Sequence, residues 1–431
     1  MIRIDNAVII PSPDQYIDRG HIVIEKNTIL HVGDDLPEHY RQADTIIDAS
    51  GLLAIPGLIN AHTHLAMSLL RGYADDMPLL PWLHEKIWPA EARLEEEDIY
   101  WGSMLGILEM IRGGTTSCAD MYWQAPATAQ AVEKSGLRAS ICDVIIGLHP
   151  EADRLLAESI DFCREWQGKA DGRITTMLGP HAPYSCPPSI LEKIVEASLE
   201  LDVGLHIHLS ETVAEVQESI EQYGKTPIAM MAGLGVLERP TLAAHCVHPV
   251  EDEIDILARF GAVVAHNPGS NMKLGSGIAP VPAMLKAGIK TSLGTDGAAS
   301  NNNLDMFEEM RLAALLHKAA EEDPTVIPAG QALSMATEAG AAALRIKNLG
   351  SLEPGNLADI VLINLNKPHL TPHNNYISDL VYSAEAADVD TVIIDGKILL
   401  QKGLFTELDE EEIMAKATKR AKRLLRVPSE A

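Results

Sequence analysis

The sequence predicts an α/β fold: a (β/α)8 TIM barrel carrying a small β-sandwich domain built from both chain termini. Three observations predict it. Eight apolar β-runs alternate with helical patterns through the middle of the chain. Both ends are β-rich and the middle is not. The downstream ends of the central runs carry His and Asp, although their interiors are apolar.

Residues 1–57 read as short strands and turns. Ala7–Ile10, His21–Glu25 and Thr28–Val32 are β-branched runs bounded by Pro, Gly, Asn and Asp. The barrel follows over 58–345. Its strands are expected at Gly57–Asn60, Thr115–Asp120, Arg138–Asp143, Ile174–Leu178, Val203–His208, Thr241–His245, Ala262–His266 and Lys290–Asp296. Intervening stretches such as Ile190–Ala197 space their apolar residues as helices do. Residues 346–405 return to β character, with strands at Ala358–Asn364 and Thr391–Asp395. Asp395-Gly396 is a hairpin turn signal leading into Lys397–Leu400. Residues 406–431 are expected to form a C-terminal helix, acidic over Glu407–Glu412 and basic over Lys416–Arg426, the order that complements the helix dipole.

Composition excludes several function classes. The 431 residues carry 34 basic and 61 acidic side chains, a net charge of −27 that repels phosphate backbones and anionic membranes. Apolar residues at 46% and charged residues at 22% suit a soluble globular enzyme. The five scattered cysteines contain no CxxC, so neither a disulfide framework nor a thiolate metal site is expected. They suit a reducing cytoplasm. No apolar stretch approaches the roughly 20 residues that span a bilayer. A cytoplasmic protein with no nucleic-acid or membrane partner is expected.

The chemistry begins at His62-Thr-His64. Residues two apart on a strand point the same way, so both imidazoles face one spot in the barrel mouth. That pair suits a divalent metal, usually zinc. A catalytic zinc takes at least three protein ligands and keeps one position open. His208, ending the fifth barrel strand, is the best third ligand, and Asp296, ending the eighth, is the best fourth. Zinc lowers the pKa of bound water from about 15.7 to roughly 7. Glu211, three residues past His208, can reach the mouth without binding metal, which is the place for a general acid/base. A helix-start role after Ser210 can coexist with this. His245 can ligate metal or steer the attacking water; with four ligands already supplied, the hydrogen-bonding role is favoured. His248 is read as structural. His266 is expected to support the shell around Asp296. His181 lies in Gly179-Pro-His-Ala-Pro-Tyr184, which holds no lysine to bridge two metals, so a single ion is expected and His181 is left for substrate.

These motifs resemble the amidohydrolase superfamily, and within it the adenosine-type deaminases that act on 5′-methylthioadenosine and S-adenosylhomocysteine. The resemblance covers nearly the whole chain. It is carried by Pro56-Gly-Leu-Ile-Asn-Ala-His-Thr-His64, by Arg71–Trp82 running to Trp88-Pro-Ala-Glu91, by Gly179–Tyr184, by His206-Ile-His-Leu-Ser-Glu211, by Ala243-Ala-His-Cys-Val-His248 and by Leu293-Gly-Thr-Asp-Gly-Ala-Ala-Ser-Asn-Asn302. It implies one zinc per chain on His62, His64, His208 and Asp296. It further implies ribose contacts from Glu91, purine contacts from His181, action of Glu211 at purine N1, and packing of Trp82 near the nucleoside. Hydrolytic deamination at C6 needs a hydroxide, a proton for N1 and a proton route to ammonia. The metal water, Glu211 and Asp296 would supply them.

Relatives use arginines after the third strand for the 5′ substituent, and Arg154 fills one such place. Where some relatives carry another arginine, this chain has Cys142-Asp143-Val144. A methylthio or 5′-deoxy nucleoside is therefore the better-suited substrate. The alternatives are a superfamily enzyme acting on a bare heterocycle, such as a guanine or pterin deaminase or a triazine chlorohydrolase, and a non-catalytic scaffold. Family members often form homo-oligomers, which the sequence leaves open.

Overall fold

The computed structural model describes residues 1–250 and 252–425. The last six residues of the expected C-terminal helix, 426–431, lie outside the described residues.

Five strands precede the barrel: β1 (Ile2–Ser12), β2 (Gln15–Glu25), β3 (Thr28–Gly33), β4 (Thr45–Asp48) and β5 (Leu52–Pro56). The barrel strands are β6 (Leu58–Thr63), β7 (Thr115–Tyr122), β8 (Arg138–Ile145), β9 (Ile174–Pro180), β10 (Gly204–Leu209), β11 (Thr241–His245), β12 (Val263–His266) and β13 (Thr291–Leu293). Four more follow: β14 (Ile360–Asn364), β15 (Val389–Ile394), β16 (Lys397–Gln401) and β17 (Leu404–Phe405).

Strands β6 to β13, counted among the described residues, pair in sequence order and in parallel. A Thr63–Asp296 bridge joins the last strand end to the first. Asn60 helps close the ring: its amide donates to Thr295 Oγ1 at 2.7 Å, and its carbonyl accepts the Thr295 N–H at 3.0 Å. Gly294 permits that approach. A Cβ there would stand 2.8 Å from the His62 backbone nitrogen.

The terminal strands form one mixed sheet. β5 is central to it, parallel to β1 and antiparallel to β14, so the two ends of the chain meet there. β1 is bulged and pairs with β2, β4 and β5. The bend lets Ile4, Ile9, Ile22 and Ile29 share an apolar core with Ile360, Leu362 and Ile393. The Asp395-Gly396 hairpin forms as the sequence predicts, with φ of 52° and 73°, the left-handed pair that a two-residue turn requires.

The segment from Leu79 to Glu91 is two short α-turns joined by one wide π-type turn, Leu83–Ile87. Pro89 accounts for it: the residue has no N–H, and its ring would strike the carbonyl four residues back. The helix Glu410–Leu425 lies against the helix Glu96–Arg112 that follows this segment. No helix among the described residues is long and apolar enough to cross a membrane.

Candidate active site

The site lies at the C-terminal ends of the barrel strands, where βα loops converge. Three of those ends carry residues in the left-handed region: Ser210 at φ 50°, His245 at 72° and Asp296 at 62°. None is glycine, so each costs about 1 kcal/mol or more and persists because its surroundings hold it. His245 and Asp296 both line the barrel mouth.

His62 and His64 leave β6 side by side, their ring centroids 4.9 Å apart. Each ligand candidate has its Nδ1 engaged on its far side. His62 Nδ1 is 2.8 Å from His206 Nε2. His64 Nδ1 donates to the Met121 carbonyl at 2.5 Å. His208 Nδ1 donates to the His181 carbonyl at 2.7 Å. The Nε2 atoms therefore converge. His64 Nε2 is 3.1 Å and His62 Nε2 3.4 Å from Asp296 Oδ1, and His208 Nε2 is 3.4 Å from His64 Nε2.

The residues fit a metal. An ion with bonds of roughly 2.0–2.1 Å in tetrahedral geometry has ligand-to-ligand edges of about 3.3–3.4 Å. The observed separations lie close to that. His62 Nε2 is buried with no hydrogen-bond partner among the described residues, an orphan that a cation would satisfy. Asp296 keeps Oδ1 for this spot because Ser270 and Ser300 donate to its Oδ2 at 2.6 and 2.9 Å. Burial alone would raise the Asp296 pKa, but the His62 and His64 rings beside it outweigh that and hold the group well below the usual carboxylate range. Burial drives His208 down, which suits a neutral ligand, and takes His62 to about 4. His64 stands at about 9, its burial overridden by Asp296. His62, His208 and His245 form a second close triad, so His245 borders the same spot.

Glu211 is buried, and burial raises its pKa. Ser276 Oγ donates to its Oε1 at 3.2 Å, and its Oε2 is 3.9 Å from His245 Nε2. Glu211 stands outside the next helix, whose N-cap is Thr212. Glu215 in that helix accepts the Ser210 and Glu211 N–H groups at 2.9 and 2.7 Å and fixes the backbone there. His245 Nδ1 lies 2.8 Å from Asn271 Oδ1, leaving Nε2 for the pocket.

A narrow inner pocket is lined by His64, His208, Glu211, His245, Asp296, His181, Trp82 and Glu91. Trp82 is buried and anchored through Nε1 on the Ala74 carbonyl at 3.0 Å. His181 Nδ1 is 2.8 Å from Ser185 Oγ, so Nε2 is the nitrogen left to the pocket. Glu91 receives the Tyr122 hydroxyl at 2.7 Å and Trp123 Nε1 at 3.4 Å. It also lines a wider outer cavity of about 950 Å³. The two spaces share Trp88, Glu91, Trp123 and Ile146.

Two expected residues stand outside the inner pocket. Arg154 lies on the helix Ala152–Trp166, half exposed, with Glu151 and Glu158 each 2.6 Å from its guanidinium. It lines the outer cavity and is absent from the inner pocket. His266 does not support Asp296: its Nε2 is 3.1 Å from His317, on a helix outside the barrel strands. The sequence reading passed over His206, Tyr122 and Ser276. The two-residue strand spacing that pairs His62 with His64 also pairs His206 with His208, and Tyr122 with Asp120. Ser276 sits in a loop and left no such signal.

Residues 53–399 match the amidohydrolase family model. A 5-methylthioadenosine/S-adenosylhomocysteine deaminase from Desulforudis audaxviator is 54% identical over 98% of this chain and 99% of its own. One from Pelotomaculum thermopropionicum is 53% identical over 96% of each chain. Among solved structures, an adenosine deaminase from Xanthomonas campestris with bound zinc has a TM-score of 0.93 at 35% identity, covering 98% of both chains. An atrazine chlorohydrolase from Arthrobacter aurescens complexed with zinc has a TM-score of 0.91 at 26% identity, covering 98% of this chain and 100% of its own. Matched along most of its length by the family model and end to end by its relatives, the chain belongs to the amidohydrolase family.

Proposed function

We propose that this chain is a zinc-dependent deaminase that hydrolyses the C6 amine of 5′-modified adenosines, releasing ammonia and the inosine analogue. His62, His64, His208 and Asp296 would hold one ion per chain. When bound, zinc supplies the Lewis acidity that brings water ionisation into the neutral range.

The carrying observation is the place of Glu91. It stands where the inner pocket opens into the outer cavity, with both carboxylate oxygens already oriented by Tyr122 and Trp123. A nucleoside with its base inside puts its ribose hydroxyls at that carboxylate and its 5′ substituent in the outer cavity. A bare heterocycle has nothing to offer Glu91. Trp82 forms part of the apolar wall, and His181 meets the purine.

The proton steps follow from the environments. Burial favours the protonated form of Glu211, which gives its proton to N1 as water attacks C6. His245 Nε2 orients that water. Asp296, held ionised, accepts the water's proton and returns it to the departing amine. C6 gains an oxygen and loses nitrogen as ammonia, and the proton left on that oxygen passes to Glu211, which forms the C6 carbonyl and restores the acid.

The outer cavity supports the finer choice of substrate. Asp143, Glu158, Asp161 and Glu165 line it, and the guanidinium of Arg154 is already taken by two glutamates. A homocysteine carboxylate would meet this negative wall, whereas a methylthio or 5′-deoxy group would not. The five buried free cysteines fit a cytoplasmic setting.

The test is turnover of adenosine, 5′-deoxyadenosine, 5′-methylthioadenosine and S-adenosylhomocysteine, followed by loss of adenine absorbance and by ammonia. The methylthio or 5′-deoxy compound is expected to be fastest. Failure of all four sinks the proposal. E91A separates the bare-heterocycle alternative, since only a nucleoside enzyme should lose ribose-dependent affinity.

A further inference from the structure

We propose that His206 and Cys142 form a directed hydrogen-bond chain that sets which nitrogen of His62 faces the metal. They are positioning residues. The inference rests on the metal site proposed above and goes beyond it.

His64 and His208 back onto main-chain carbonyls, those of Met121 and His181. A carbonyl only accepts, so each Nδ1 must carry a proton and Nε2 is the nitrogen left for an ion. His62 is the exception. Its Nδ1 backs onto another imidazole, His206 Nε2, at 2.8 Å, and an imidazole can donate or accept. If His206 donated from Nε2, the His62 proton would sit on Nε2 and block coordination. The tautomer of His206 therefore decides whether His62 can be a ligand.

That tautomer is set on the far side. His206 Nδ1 lies 3.8 Å from Cys142 Sγ, and Cys142 Sγ lies 3.5 Å from the Asp120 carbonyl oxygen. The carbonyl accepts only, so it takes the thiol hydrogen and leaves the sulfur to accept from His206 Nδ1. The polarity then runs in one direction. His62 Nδ1–H donates to His206 Nε2, His206 Nδ1–H to Cys142 Sγ, and Cys142 Sγ–H to the Asp120 oxygen. His62, His206, Cys142 and Asp120 are all fully buried on the adjacent strands β6, β7 and β8 and on β10, so bulk water does not compete for these groups. Outer partners of metal-bound histidines commonly carry a ten- to hundredfold share of metal affinity.

Two readouts test this. The first needs no variant: long-range ¹H–¹⁵N correlation spectra of the metal-free protein at neutral pH should show His62 and His206 both protonated on Nδ1. His206 protonated on Nε2 would overturn the chain. The second is zinc affinity, measured by competition with a chromogenic chelator. C142V, which can neither donate nor accept, is expected to bind roughly tenfold more weakly, and C142S, which can do both, to stay within about threefold of the parent. C142V holding zinc as tightly as the parent, with His62 still protonated on Nδ1, overturns the inference while leaving the metal site intact. Parent protein that holds no zinc overturns both. Parent protein that holds zinc but deaminates no adenosine analogue removes the proposed substrate and leaves the chain standing.

Discussion

The Ser276 hydroxyl donates to Glu211 Oε1 at 3.2 Å, so one oxygen of that carboxyl is already satisfied by the protein. Oε2, the oxygen nearer His245 Nε2, is then the one left to carry the acid proton. Burial raises the Glu211 pKa and the Ser276 hydrogen bond lowers it. Removing the hydroxyl therefore moves the pKa further up. S276A is expected to carry the alkaline limb of kcat/KM to higher pH while lowering kcat by roughly fivefold, the worth of about 1 kcal/mol of lost positioning. E211Q, which cannot deliver the proton, should cost on the order of 10²–10⁴ in kcat. A pH–rate profile of both variants checks the sign. A downward shift in S276A would contradict the assigned roles.

Asp143, on the wall of the outer cavity, is expected to give it a pH-dependent preference. Burial, opposed by the backbone N–H of Ala125 and reinforced by Glu158, pushes its carboxyl up to about 7. Below that pH the group is neutral, and above it the group is an anion on the wall of the outer cavity, where the 5′ substituent is proposed to lie. The kcat/KM ratio of S-adenosylhomocysteine to 5′-methylthioadenosine is expected to fall as pH rises through about 7. D143N should flatten that fall, and D143R should raise the ratio. Competition between the two substrates in one reaction, sampled across pH, measures it directly. An unchanged ratio in D143R would remove Asp143 from specificity.

The part of the site that was legible in the sequence is the part that strand geometry controls. His62, His64, His208 and Asp296 stand at strand ends, and the two-residue period fixes their direction. The partners of Arg154 were legible too: Glu151 and Glu158 lie three residues before it and four after, so helical spacing alone brings them to it. What the sequence hides is backbone strain and long-range contact. Nothing in the residue types marks Ser210, His245 and Asp296 as left-handed, because the surrounding fold imposes it. Ser276 is 65 residues from Glu211, and no local pattern joins them. His266 misled because a strand-end histidine can also face outward, and β12 turns this one toward the helix Met306–Ala320.

The last described helix packs into the apolar cluster that holds Trp82. Arg420 Nε lies 2.6 Å from the buried Asp98, and Arg423 also pairs with Asp98. Asp98 in turn accepts the Glu95 N–H at 2.8 Å, capping the helix that begins five residues after Glu91. Ala417 and Leu424 share one apolar cluster with Trp82, Leu83 and Ile87. R420A leaves Asp98 with a single cation and is expected to cost about 2 kcal/mol, below the 3–5 kcal/mol of a fully broken buried pair. Because the segment packed there carries Trp82 and Glu91, the KM for nucleoside should rise more than kcat falls. Denaturant unfolding and steady-state kinetics check the two halves. A KM equal to the parent's would separate this helix from the pocket.

Arg138 joins the barrel to the terminal sheet. It is 2% exposed, with Nε 2.9 Å from Asp359 Oδ2 and Nη2 3.0 Å from Asp395 Oδ1. Asp359 also accepts the Asp395 N–H at 2.8 Å, just before the Asp395-Gly396 turn. R138M keeps the volume and strands two buried carboxylates without a cation, so a loss of about 3–5 kcal/mol is expected. R138M/D359N, which removes one of those charges as well, should recover part of it. Arg138 begins β8, at the end of the barrel remote from the mouth, so kcat of the folded variant should match the parent's. Urea unfolding measured alongside kcat separates stability from catalysis. A variant as stable as the parent would mean that the apolar contacts between barrel and sheet hold the two together without this ion pair.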